Sequence, residues 1–296
     1  MAMRNALTID VEDYYQVSNF EKSIRREDWP NYPSRVESST RRILRILDRE
    51  NVRATFFVLG YVAERHPDLV REIGRSGHEV GSHGFWHSLV FQQTPEAFRQ
   101  DLRRSRNVLE EILGRSISAY RAPSFSINAR TTWALEILVE EGFTVDSSVL
   151  PVHPKRDGIP NGGRRPYLQK ISTGPIWECP IAVGRVRDGM CCPISGGGYF
   201  RLFPYGLTKR LLKRVNEKHS LPFVFYTHPW EFDPDQPRLK AGSRQKRFRH
   251  YVNLRTTEAK FERLLREFSF GRLDEVLADF QRRSETPQAA SITYAS

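Results

Sequence analysis

The run Ala54-Thr-Phe-Phe-Val-Leu59 constrains the fold of this chain more than any other segment. It is a nearly unbroken apolar stretch between Arg53 and Gly60, too short for a helix. Strands of that kind are buried on both faces, which happens when helices cover both sides of a parallel sheet. The rest of the chain agrees. Ala6–Asp10, His78–Ser82, Phe143–Asp146 and Pro222–Thr227 also read as strands. Between them lie helix-period segments at Pro33 to Arg49, Pro67–Arg75, Thr94 to Leu113, Thr131–Glu141 and Thr256–Phe268. Thr94 with Pro95 starts the longest of these and Gly114 stops it. Such alternation predicts a parallel α/β barrel or a doubly wound sheet.

The stretch from about 149 to 202 breaks this rhythm. It is rich in Gly, Pro and Arg, with β-type pieces such as Ile176–Val183, and reads as a loop-rich insertion over one face. Residues 281–296 are polar and aperiodic and read as a frayed tail. Residues 1–280 are therefore expected to form a single catalytic domain, consistent with a length of 296 residues.

Composition excludes some classes. No apolar run approaches the roughly 20 residues that span a bilayer, and Met1 to Thr8 is too short and polar for a secretory signal. The expected location is cytoplasmic. The three cysteines, Cys179, Cys191 and Cys192, fit neither a disulfide framework nor a zinc pattern, and read as free thiols. A net charge of +11 invites a nucleic-acid reading. Much of that charge lies on amphipathic segments such as Arg99–Arg106, where a solvated face suffices. The denser run from Arg238 and Lys240 through Arg244, Lys246, Arg247, Arg249 and His250 reads as a solvated loop sooner than as an anion-binding patch.

Polar groups cluster at the strand ends. Asp10, the segment from His83 to His87, Arg121, Asp146 and His228 all follow predicted strands, on the face where barrels of βα units gather catalytic groups. His83 and His87 would share a face if their segment made one helical turn. With eight histidines in the chain, roughly 0.2 such spacings arise by chance, so the pair needs support. The acidic cluster Asp10-Val-Glu12-Asp13 supplies it. Two imidazoles and a carboxylate can hold a divalent cation, most simply zinc, with cobalt, nickel and manganese as alternatives. A second carboxylate can then serve as general base. Asp10 is the expected base and Asp13 the expected ligand, with Glu12 the alternative because it shares Asp10's parity. His228 is the candidate general acid. Arg121 is placed to steady a catalytic carboxylate, and Asp146 to steady His228; each could equally be an ordinary ion pair.

Together these residues resemble the polysaccharide deacetylase family, carbohydrate esterase family 4, with its NodB-type domain. The resemblance rests on Thr8-Ile-Asp10-Val-Glu12-Asp13, Ser82-His83-x-x-x-His87-Ser88, Arg121-Ala-Pro123-Ser124-Phe125, Val145-Asp146-Ser147-Ser148 and Tyr226-Thr227-His228, in matching order. The Asp-Val-Glu-Asp-Tyr-Tyr start, the Phe-Arg-Leu-Phe-Pro-Tyr run ending at Tyr205 and the His-Pro-Trp-Glu run from His228 are similar to a subgroup. Its members accompany exosortase-linked exopolysaccharide loci, and the similarity extends over about 199–280. The resemblance implies a distorted (β/α) barrel of seven or eight strands. It also implies metal-dependent removal of N-acetyl groups from an amino-sugar polymer or a lipid-linked precursor. Asp10 would be the base, His83 and His87 ligands, and His228 the acid. Arg121 would tune Asp10, and a backbone N–H near Ser124, beside Phe125, would receive the oxyanion. The chain departs from the family in separating its acids and in placing Ser124 where an aromatic is usual.

Two rival readings follow from the same residues. The site could act on a non-sugar amide or an O-acetyl ester. Alternatively, the chain could be a non-catalytic binder of glycan or nucleic acid; intact acid and ligand positions argue against that, and nucleic acid is not an expected partner. An export-linked role without a signal places the expected work at the inner membrane face, with the basic run touching anionic lipid. The sequence does not speak to oligomeric state.

Overall fold

The computed structural model describes residues 3–151, 164–185 and 191–285. Among the described residues, eleven strands are β1 (Arg4–Val11), β2 (Thr55–Val58), β3 (Glu79–Ser82), β4 (Ala119–Tyr120), β5 (Val145–Asp146), β6 (Tyr167–Ile171), β7 (Gly174–Glu178), β8 (Val183–Arg185), β9 (Cys191–Pro193), β10 (Val224–Thr227) and β11 (Ser269–Gly271). The main sheet runs β10-β1-β2-β3-β4-β5-β7, every pairing parallel. Beyond β7, Ile181 bridges Val224 of β10 in parallel and closes the ring. The sheet is thus a distorted barrel, and the doubly wound alternative is excluded.

Alternation along β1 explains the layers. Leu7, Ile9 and Val11 pack in the large core between sheet and helices, formed with α1 (Val36–Arg49), α3 (Pro67–Arg75), α4 (Pro95–Leu113) and α5 (Trp133–Glu140). Ala6 instead joins Phe57, Ala119, Val145, Cys179 and Val224 in a smaller inner core. Thr8 and Asp10 share Ala6's parity, so polar groups rise through the barrel toward the C-terminal ends of the strands.

Two sequence expectations change. Residues 174–178 are barrel wall, because β7 pairs with β5, and β6 is an antiparallel flap on its edge. The 149–202 stretch is therefore only partly a cover; residues 152–163 and 186–190 of it lie outside the described residues. The tail reading also fails at its start, since α10 (Leu273–Glu285) includes residues 281–285; residues 286–296 lie outside the described part. Leu273, Val276 and Leu277 of α10 plug the barrel at its N-terminal end. Cys179 and Cys192 are buried, as expected of structural thiols.

The plug is tied down by a hydrogen-bond chain. Leu273 N–H donates to Thr55 Oγ1 (2.7 Å), whose hydroxyl donates to Glu79 Oε2 (2.6 Å). Burial, with the nearby Asp274 charge, pushes the Glu79 carboxyl up to about 7. A carboxyl whose folded pKa lies above its unfolded value loses stability as pH rises from the unfolded pKa through the folded one. The contribution of Glu79 to stability is therefore expected to fall between about pH 4.5 and 7, and Glu79→Gln to remove that component from the pH dependence. Calorimetric melting across this range checks it; an unchanged slope in the variant would refute the assignment.

Candidate active site

The acidic segment leaves β1 at its C-terminal end and splits by parity. Asp10 and Glu12 face the barrel mouth, whereas Asp13 turns back to the helix layer. Asp13 accepts from the Ser34 hydroxyl (2.7 Å) and from the backbone N–H groups of Arg35 (2.9 Å), Val36 (3.2 Å) and Tyr14 (3.0 Å). Those donors include the unsatisfied first N–H of α1, where a carboxylate is favoured by the helix dipole. The expected ligand Asp13 is thus occupied elsewhere. The alternative, Glu12, stands with the histidines.

His83 follows β3 directly, its N–H bonded to Val58 O (3.0 Å). The segment to His87 is not a helical turn. Gly84 has φ +74° and His87 φ +54°, so the chain doubles back and brings the second ring beside the first, 5.3 Å between centroids. A Cβ on Gly84 would also lie 2.9 Å from Asp101 Oδ2. Asp101 of α4 pins the loop by accepting from Phe85 N–H (2.7 Å) and Trp86 N–H (3.1 Å). A left-handed φ at a histidine is uncommon, and such strain concentrates where a side chain must be aimed.

Glu12, His83 and His87 are buried, and one potential ligand atom from each lies within 4.8 Å of the others. His83 Nδ1 is 2.8 Å from Arg121 O, which can only accept; Nδ1 therefore carries the proton and Nε2 is left bare. Burial pushes the His83 imidazole down to about 4, so it is neutral, as a ligand must be. Glu12 Oε2 lies 2.7 Å from His87 Nε2 but has no well-aligned hydrogen bond, an orphan acceptor in a buried site. Burial alone would raise the Glu12 carboxyl, but the surrounding His87, His228 and His83 outweigh it and hold it at about 2. A bare imidazole nitrogen, a second imidazole and an orphan carboxylate oxygen fit a divalent cation.

Asp10 is beside this cluster. Arg121 is fully buried and donates Nη1–H to Asp10 Oδ1 (2.8 Å) and to Thr8 Oγ1 (2.7 Å), while Ser147 takes its other donors. The guanidinium fixes the carboxylate in one orientation. His228 Nε2 approaches from β10, 3.9 Å from Asp10 Oδ2 and 3.5 Å from Glu12 Oε1.

Asp146, expected to steady His228, does not reach it. Asp146 accepts from Ser148 Oγ (2.5 Å) and sits opposite Glu178 in the β5–β7 register. Burial pushes both carboxyls up, Asp146 to about 6 and Glu178 well above its usual range. Asp146 Oδ2 and Glu178 Oε2 are both buried without another partner, which one proton held between them satisfies. The carboxylate on His228 is Glu231, which sequence reasoning missed. His228 Nδ1 lies 2.6 Å from Glu231 Oε1, and Arg201 Nε donates to Glu231 Oε2 (2.6 Å). Burial would lower the His228 pKa, but Glu231, Glu12 and Asp10 outweigh it and raise it to about 9. Arg201 also donates to the carbonyls of Arg249, His250 and Val252 at the end of α8 (Arg244–Tyr251). His250 is therefore not part of a basic patch; it is buried and stacks on Trp230, 4.2 Å between centroids.

A cavity of roughly 400 Å³ opens over these groups, lined by Asp10, Glu12, His83, His87 and His228. Ser124 (φ +52°) and Phe125 (φ +54°) line it from the segment after Arg121. Phe125 N–H is committed to Ala122 O (3.0 Å), and Phe125 packs edge-on against Tyr226. Close backbone approach is needed beside the lining residue Tyr226: a Cβ on Gly196 would lie 2.0 Å from Tyr226 O.

Comparison with known proteins agrees with this geometry. Residues 27–143 match the family model described as polysaccharide deacetylase, and residues 147–278 match a domain of unknown function, DUF3473. Among curated relatives, a peptidoglycan-N-acetylglucosamine deacetylase of Bacillus cereus is 32% identical over 98 residues, covering 33% of this chain and 36% of that protein. One of Listeria monocytogenes is 38% identical over 92 residues, covering 31% of this chain and 20% of that protein. The chain thus spans only about a third or less of these relatives' length. Among solved structures, a Mycobacterium smegmatis protein assigned to the polysaccharide deacetylases superposes with TM-score 0.62 at 22% identity, covering 98% of this chain and 94% of its own. An allantoinase superposes with the same TM-score at 15% identity, covering 96% and 91%. Both share the fold. With a deacetylase match over residues 27–143, DUF3473 over residues 147–278 and a barrel of the same fold as these structures, the chain carries a polysaccharide deacetylase domain joined to DUF3473.

Proposed function

We propose that this protein is a metal-dependent hydrolase that removes N-acetyl groups from amino sugars of an exopolysaccharide or its precursor. The observation that carries the reading is one cavity holding the Glu12–His83–His87 cluster, Asp10 on Arg121, and His228 on Glu231. A divalent cation held by that cluster, most simply zinc, would supply Lewis acidity toward the acetamide carbonyl. Asp10 accepts the proton of the attacking water, and Arg121 keeps its carboxylate aimed. The Ser124 N–H is the candidate donor to the developing oxyanion. His228, held by Glu231, gives its Nε2 proton to the departing amine nitrogen. Water adds its oxygen to the acyl carbon, the C–N bond breaks, and acetate and a free amine leave.

The amino-sugar substrate is supported by the names of the relatives, and the exopolysaccharide setting by the motif similarity alone. The test is acetate release from N-acetylglucosamine oligomers by metal-stripped protein refilled with zinc, cobalt, nickel or manganese. Stripping is expected to abolish release and one of these metals to restore it. Full activity after stripping would overturn the reading. A parallel panel of small amides and O-acetyl esters separates acyl acceptors; turnover of esters alone would replace N- by O-deacetylation.

A further inference from the structure

We propose that a second, aromatic-walled slot behind the acidic segment binds one pyranose ring of a neutral glycan, separately from the catalytic cavity. The slot holds about 500 Å³ and is walled by Tyr15, Trp29, Tyr32 and Tyr61. Tyr15 and Tyr32 stack 5.2 Å apart, and Trp29 meets Tyr61 edge-on at 5.0 Å. Aromatic faces with a few placed polar groups are how proteins take up sugar rings, whose C–H faces are apolar and whose rims are polar.

Gln16 also lines the slot and is 3% exposed. Its Oε1 accepts from Asp13 N–H (2.7 Å), which fixes the amide's orientation. The Nε2 donors are then left buried without a partner, and such a group calls for one. The other polar groups also select the ligand. The Asp13 carboxylate is spent on the α1 terminus, and the Arg65 guanidinium lies 4.6 Å over the Tyr61 ring. Donors without an uncommitted carboxylate suit a ligand that offers oxygen acceptors, and disfavour a cation. A hydroxyl or acetamide oxygen on a sugar ring meets both demands.

The slot and the catalytic cavity share one wall. Glu12 faces the cavity, Asp13 and Gln16 face the slot, and Trp86, next to His87, touches both Trp29 and Tyr61. A polymer held here would be retained near the catalytic groups. The proposal rests on the deacetylase reading only for its choice of sugar.

The test is calorimetric titration of chitohexaose into the His83→Ala protein, so that hydrolysis cannot consume the probe. Gln16→Glu, which keeps the oxygen for Asp13 N–H and removes the donor, is expected to weaken binding about tenfold. Tyr32→Ala, at a partly exposed ring, is expected to do the same. Unaltered melting and circular dichroism show that each variant is folded. Absence of chitohexaose binding, or binding by both variants as tight as by the His83→Ala protein alone, would overturn the proposal. Failure of the wild-type protein to release acetate would instead count against the deacetylase reading alone.

Discussion

Replacing Glu12 with glutamine is expected to leave a folded barrel that holds no stoichiometric metal and has lost at least about 10³-fold in kcat/KM. The size follows from the several kcal/mol that a Lewis-acid cation contributes, at 1.36 kcal/mol per factor of ten. Glutamine preserves the volume beside Trp230, whose Nε1–H lies 3.3 Å from Glu12 Oε1, and removes only the charge. The informative comparison is Asp13→Asn. That change weakens the cap on α1 and is expected to cost about 1–3 kcal/mol of stability while metal content stays near one equivalent. Metal analysis and thermal melting on the two proteins separate the roles. Loss of metal from Asp13→Asn with retention by Glu12→Gln would reverse the assignment.

The second large effect belongs to His228, the proposed acid. His228→Ala is expected to lower kcat by about 10²–10⁴, the usual yield of general acid catalysis, with metal content unchanged. Glu231→Gln probes the support. It exchanges a charge-assisted bond for a neutral one, worth roughly 1.5–3 kcal/mol, so kcat is expected to fall about 10- to 100-fold. An oligosaccharide KM near the wild-type value would place the effect in the chemical step. Equal kcat for Glu231→Gln and wild type would show that His228 needs no partner. Because Glu231 also receives Arg201, melting must accompany the kinetics.

How much of this was readable without coordinates depended on the range of the signal. The apolar run at Ala54–Leu59, the caps Thr94 and Gly114 and the strand-end positions of Asp10, His83, Arg121 and His228 are local patterns, and all lie where such patterns place them. Parity favours Glu12, because a residue two beyond Asp10 returns to the same face; Asp13, the expected ligand, lacks that parity and caps α1 instead. The histidine spacing would also suit a helical turn, whereas two left-handed residues, Gly84 and His87, do the work. Glu231 did have a local signal: His228-Pro-Trp-Glu231 has the spacing of a capping box, which the structure forms. Arg201 had none, since its carbonyl partners lie 48 to 51 positions away. The same holds for Asp146 and Glu178, joined only by strand register.

The first strand lies between the second and the last strands of the barrel, with Thr8 bonded to Phe225, 217 positions on. A ribosome making this chain delivers the histidine pair and its carboxylate early, but His228 and the barrel's closing edge arrive only after residue 224. Until then β1 presents one unpaired edge, open to association with another chain. The stretch of unknown function is therefore the barrel's own second half, supplying β7, β10 and β11. Cutting the gene between the two matched regions would yield an open sheet carrying half a site, and co-expressing the halves would ask whether strand pairing alone can rejoin them.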